Sequence, residues 1–207
     1  MHWKRQNLNC IKPLMYTGGE IMFWQKFIEK FSVLDLIIIA MLSALGIATK
    51  PIVVPITHII TGPLLIPGGV VAGGFYMMWL VLGVGLTGKC GTATLIGLVQ
   101  ALMVFGTGIF GSHGAMTLLS YTLPGVAIDL ALWFTRHRVC CLPCSFLAGV
   151  LANICGSGLV NILYFRLPLV PLMLALTVAA LSGGLGGIIA YKILHQLKKT
   201  GFGHKTA

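Results

Sequence analysis

VLDLIIIAMLSALGIAT, residues 33–49, is apolar apart from Asp35 near its start and a few small hydroxyls. As a helix its 17 residues rise slightly less than the ~30 Å of a hydrocarbon core, so a little bilayer thinning or a few flanking residues complete the crossing. Ala40, Ala44 and Ala48 recur every four residues and fall on one stripe. Lipid gives helices no hydrophobic reason to associate, so membrane helices meet where small side chains let them come close. The stripe is therefore read in two ways, as packing against a helix of the same chain or as a docking strip for a separate membrane subunit.

Composition extends the membrane reading to the whole chain. Of 207 residues, 57% are hydrophobic and 9% charged, with a mean hydropathy of +0.96. Those values exclude a soluble globular domain. A net charge of +10 invites a nucleic-acid partner, but the basic residues are scattered over short loops and ends, so none is expected.

Apolar runs follow at 66–86, 92–110, 115–134, 144–165 and 169–191, each of spanning length. The fold class expected is an all-α integral membrane protein with six transmembrane helices and both termini cytoplasmic. Lys4, Arg5, Lys12, Lys26, Lys30, Lys89, Arg136, Arg138, Lys192, Lys198, Lys199 and Lys205 gather on one side, against Lys50 and Arg166 on the other. By the positive-inside rule the rich side is cytoplasmic. Three regions are expected: a leader with an interfacial amphipathic segment (1–32), the membrane domain (33–191) and a basic tail (192–207). Residues 1–21 lack the apolar region of a signal peptide, and Met22 is a candidate start.

The first outer loop, 50–65, is apolar and proline-punctuated, and is expected to fold back as a cap over the bundle. Loop three, GTGIFGSHG, is short and glycine-rich. Polar residues concentrate on the outer half: Thr57, His58, Ser112, His113, Thr117, Ser120, Tyr121, Asn161 and Tyr164. Polar groups in a bundle face its interior or a cavity, so this cluster points to a small-molecule pocket. Asn153, Ser157 and Asn161 form a stripe on the fifth span, and Gln100 lies mid-membrane on the third. Gln100 and Asn153 are read as interhelical hydrogen-bonding residues. Asp129, near the cytoplasmic face, is read as a structural or coupling residue satisfied by Arg136 and Arg138.

Catalytic motifs are absent. There is no H-E-x-x-H, no G-x-S-x-G, no paired carboxylates and no Walker A loop. His137, Cys140, Cys141 and Cys144 are clustered, but without a second C-x-x-C pair they do not make a structural zinc site. Reduced thiols and no structural disulfide are expected, with no cofactor and no resident metal.

Six short spans, inward termini, the Ala40–Ala44–Ala48 strip and the long apolar first loop together resemble the substrate-binding S component of an energy-coupling factor (ECF) vitamin transporter. GPLLIPGG at 62–69 and GSHGAMTLLSYTLPGVAIDL at 111–130 are most similar to the YkoE-like group, which handles thiamine and its hydroxymethylpyrimidine precursor. The resemblance implies a non-enzymatic, multi-pass subunit of a prokaryotic plasma membrane. Such a subunit captures a vitamin or precursor outside and passes it to a transmembrane T component driven by two cytoplasmic ATPases. It makes Ala40, Ala44 and Ala48 the docking strip. It makes Thr57, His58, His113, Tyr121, Asn161 and Tyr164 substrate-binding candidates. The outer half holds no acid to meet the thiamine cation, which favours a neutral or less charged molecule such as the pyrimidine moiety. The alternatives are a cobalt or nickel uptake subunit, although Met1–His2 continues without that group's histidine motif, and an intramembrane hydrolase using Ser112.

Overall fold

Each apolar run becomes a helix in the computed structural model, which describes residues 29–62, 68–108, 116–134, 139 and 141–200. In chain order these are α1 (Val33–Ala48), α2 (Lys50–Thr61), α3 (Gly68–Thr87), α4 (Thr92–Thr107), α5 (Met116–Phe134), α6 (Leu142–Val160) and α7 (Leu169–Lys199). One π-helical turn, Asn161–Phe165, closes α6. Five helical stretches are long and apolar enough to cross a membrane: Val33–Thr61, Gly68–Thr87, Met116–Trp133, Leu142–Phe165 and Leu169–Lys199. Thr92–Thr107 is apolar but shorter, rising only ~24 Å. The chain is a multi-pass membrane protein. The leader, His113, Arg136, His137, Arg138 and Cys140 lie outside the described residues.

Polar side chains fix the helix starts at one end. Ser32 and Asp35 form a reciprocal capping box on α1. The buried Asp35 carboxylate also accepts from the Lys89 ammonium at 2.5 Å, which in turn donates to the Lys30 carbonyl at 2.6 Å. That ion pair ties the start of α1 to the turn between α3 and α4. Asp129 of α5 accepts from the backbone N–H and hydroxyl of Thr94 at 2.9 and 2.6 Å. It thus caps α4 from a neighbouring helix; Arg136 and Arg138, the partners expected from sequence, lie outside the described residues. Cys141 and Cys144, with Cα atoms 5.4 Å apart, are paired as a disulfide. This corrects the expectation of reduced thiols: the first turn of α6 brings the two positions of a C-x-x-C together.

Small residues decide which helices touch. A Cβ added at Gly149 would strike the Gly183 carbonyl, and one at Gly187 the Ser145 carbonyl, so α6 and α7 meet backbone to backbone. Gly186 of α7 meets Gly74 of α3 in the same way, and the Ser182 hydroxyl donates to the Val71 carbonyl at 2.5 Å. The seam SGGLGG, residues 182–187, thus clasps α3 and α6 onto α7. Gly97 and Gly125 lie against the backbone at Tyr121 and Ala93, which joins α4 to α5. α1 leans on α3 and α4 through Ile39, Leu42 and Ser43.

Two expectations change. Residues 50–61 are not a capping loop but a helix that continues directly from α1 through Thr49. Pro51 sits in its first turn, where its missing N–H costs nothing. The Thr57 and Thr61 hydroxyls bond back to carbonyls of their own helix. The last helix runs on to Lys199, so the start of the basic tail prolongs α7 as ordered helix.

Ala40, Ala44 and Ala48 are exposed, on the side of α1 away from Ile39, Leu42, Ser43 and Gly46. The stripe does not pack within the described bundle. Enlarging a seam glycine and enlarging a stripe alanine are therefore expected to differ. Gly186→Leu drives a side chain into the Gly74 backbone and is expected to cost about 1–3 kcal/mol or more, seen as a large fall in thermal midpoint in detergent. Ala44→Leu is expected to leave the midpoint nearly unchanged.

Candidate functional site

At the α1–α2 junction the backbone stays helical at Thr49, whose hydroxyl donates to the Gly46 carbonyl at 3.1 Å. That continuity turns the next residue, Lys50, inward. Lys50 is only 7% exposed. Its ammonium lies 3.6 Å from the centroid of the Tyr121 ring and 5.0 Å from that of Tyr76. Cation–π contact of this kind offsets part of the cost of burying the charge. Among the described residues the ion pair is Lys89–Asp35, and no carboxylate meets Lys50.

Lys50 forms one wall of a cavity of about 400 Å³. The volume lies within the range of small-molecule sites. Val54 of α2, Tyr76 and Met77 of α3, Gln100 of α4, Ser120, Tyr121 and Pro124 of α5, and Asn153 and Ser157 of α6 contribute to the lining. The cavity opens where the α3–α6–α7 group and the α4–α5 pair diverge, at the end of the bundle away from Asp35, Lys89 and Asp129.

Two of its polar groups lack partners. The Tyr76 hydroxyl and the Gln100 Nε2 are buried without a hydrogen bond. Such orphans are costly in a bundle core, where an unpaired buried group forfeits about 1–3 kcal/mol. Asn153 differs: its amide donates to the Val70 carbonyl at 3.1 Å and the Ala179 carbonyl at 2.8 Å. It bridges α3, α6 and α7 and holds the cavity wall in place. The interhelical reading made from sequence thus describes Asn153, while the Gln100 Nε2 is left for something else.

Of the residues anticipated from sequence, Tyr121 lines the cavity. Thr57 is buried but bonded to the Val53 and Val54 carbonyls. His58 is exposed, its ring lying over Gly68. Asn161 is buried and its Oδ1 accepts from the Leu167 N–H at 3.1 Å, closing the chain reversal after α6. Tyr164 is exposed in the π turn. The structure does not bring these four to the cavity, and His113 lies outside the described residues. Lys50 and Tyr76 went unrecognised. Lys50 resembled a loop charge because it follows an unbroken apolar run, yet a lone lysine flanked on both sides by apolar helical sequence was the available signal.

Among the described residues no group of three or more His, Cys, Asp or Glu is arranged to hold a metal ion. A second groove, between α5 and α6, is bordered by Leu130, Trp133, Leu147 and Leu151 and is almost wholly apolar, a surface suited to lipid chains.

The family described as "ABC-type cobalt transport system, permease component" matches residues 34–155. A solved structure described as "Crystal structure of an S-component of ECF transporter" shares the fold, with a TM-score of 0.70 and 19% identity over 83% of this chain and 87% of that one. No curated protein matches the sequence.

Orphaned groups that await a ligand and groups that hold the fold respond oppositely to deletion. In the unliganded protein, Tyr76→Phe and Gln100→Met are expected to leave thermal stability unchanged or raise it. Asn153→Ala is expected to lower stability by about 1–2 kcal/mol through its two lost interhelical bonds. Thermal unfolding of the three purified variants checks this.

Proposed function

Since the chain belongs to the family of ABC-type cobalt transport system permease components, we propose that it is the substrate-capturing S component of an ECF-type importer. The observation that carries this reading is the cavity with its unpaired Tyr76 hydroxyl and Gln100 amide. A buried site with ready hydrogen-bonding groups and no catalytic constellation suits capture, not reaction. The chain binds its substrate outside, with the basic end of the bundle in the cytoplasm, and delivers it to a transmembrane T component energised by two ATPases.

The substrate on this reading is a small vitamin-like ring compound. Tyr76, Tyr121 and Met77 supply its apolar and aromatic contacts, and Gln100 and the Tyr76 hydroxyl its orientation. The family's description speaks of cobalt, but the cavity lining, with one ammonium and, among the described residues, no carboxylate, imidazole or thiolate, suits an organic molecule better than a bare cation. Intact thiamine is disfavoured for the same reason. Two positive charges ~5 Å apart repel by roughly 3 kcal/mol at an effective dielectric of ~20. A neutral hydroxymethylpyrimidine meets no such penalty.

The T component docks, on this proposal, against the outward stripe Ala40, Ala44 and Ala48. Their exposure supports it, because small residues allow close backbone approach.

The purified protein is expected to capture a vitamin-like molecule with neither ATP nor a divalent ion present, as read by mass spectrometry and calorimetry. Gln100→Met is expected to weaken that capture about 5- to 150-fold. Ala44→Trp is expected to keep ligand affinity and lose co-purification of the partner subunits. A strict divalent-ion requirement would favour metal uptake instead, and loss of ligand affinity in Ala44→Trp would return the stripe to a packing role.

A further inference from the structure

Lys50 places an amino group inside a membrane cavity, and no carboxylate among the described residues pairs with it. Its ammonium has two aromatic faces for company. Ring faces supply partial compensation but no acceptor for the three N–H bonds. The other charged groups of the described bundle core are paired: Asp35 with Lys89, and Asp129 with Thr94. Both of those lie at the opposite end. Side-chain oxygens on the cavity wall are neutral and none is a counter-ion to an ammonium. The Ser120 hydroxyl donates to the Met116 carbonyl, and the Asn153 Nδ2 donates to carbonyls of α3 and α7.

The site therefore has a single ammonium, two donors without partners in the Gln100 amide and the Tyr76 hydroxyl, and aromatic walls. Every free group in that set is a donor or can act as one. The complement to such a set is an acceptor-rich anion attached to an apolar or aromatic body. One ammonium balances one negative charge, and among the described lining residues there is no arginine fork or second cation to meet a phosphate dianion.

Building on the proposed role in substrate capture, we infer that the substrate is an organic monocarboxylate whose carboxylate seats against the Lys50 ammonium. Its body lies between Tyr76, Tyr121 and Met77. Binding then supplies the missing acceptors and releases Lys50 from its ring contacts. Within the vitamin-like compounds this selects an anion in place of a neutral pyrimidine.

The test uses the full chain in lipid nanodiscs and a defined equimolar mixture. The mixture contains nicotinate, pantothenate and biotin as carboxylates, nicotinamide, riboflavin and hydroxymethylpyrimidine as neutral compounds, and thiamine as a cation. Retained compounds are identified by mass spectrometry and then titrated singly by calorimetry. The wild-type protein is expected to retain a carboxylate. Lys50→Met is expected to weaken its binding roughly 10- to 150-fold, and Lys50→Arg, which keeps the charge, to preserve most of it. The choice among compounds made by the wild-type protein carries the test even where a variant fails to fold. Retention of a neutral compound or of thiamine, or of a carboxylate equally well by Lys50→Met, would overturn the inference while leaving the capture role intact. Retention of none of the seven would overturn the capture role itself.

Discussion

Where Gly149 of α6 faces Gly183 and Gly187 of α7, two helix backbones touch with no side chain between them. The rest of the bundle depends on that contact and on its twin between Gly74 and Gly186. In lipid, burying apolar surface against protein gains little over leaving it in hydrocarbon, so contact must come from close packing and hydrogen bonds. The glycine seam supplies the packing. Ser182 and Asn153 lock it with bonds to backbone carbonyls of α3 and α7. The three helices so joined form a rigid wall, and α4 and α5, joined through Gly97 and Gly125, form a second. The cavity is the space the two pairings leave at one end, closed on a third side by the first turn of α2.

The two ends of the bundle thus differ in character. At the basic end, charge and polarity are used up locally by the Ser32–Asp35 cap, the Asp35–Lys89 pair and the Asp129–Thr94 cap. At the other end, Lys50, Tyr76 and Gln100 keep unspent hydrogen-bonding capacity. Stability is concentrated where the helices are stapled, and binding capacity where they part. Local departure from full polar satisfaction is what functional sites commonly show.

Much of the fold was legible because hydropathy and length report the span of a helix directly. The starts of α1 and α4 and the end of α5 fell where the apolar runs begin and end. The stripe at Ala40, Ala44 and Ala48 was legible as a periodicity, though only the structure shows which way it faces. The site was much less legible. Outer polar residues were read as a pocket, but helix ends need polar groups for their own sake. Asn161 is spent on the chain reversal and Thr57 on its own helix. Lys50 was hidden because sequence shows a charge beside a proline and says nothing of whether the twelve residues Lys50–Thr61 form a loop or carry the helix onward. The glycine seam is hidden in the sequence because glycine in a membrane helix reads first as a tolerated break, and its partner positions, Gly149 with Gly183 and Gly74 with Gly186, lie on other helices.

The central claim is that the cavity bounded by Lys50, Tyr76, Gln100 and Tyr121 is where substrate is held. The most direct measurement is the structure of the purified protein determined together with the small molecule it retains from its membrane. Density for that molecule is expected inside this cavity, with an acceptor atom at hydrogen-bonding distance from the Gln100 Nε2. Density lying instead in the apolar groove beside Leu130 and Leu147, or against the exposed His58 and Tyr164, with the cavity empty, would contradict it.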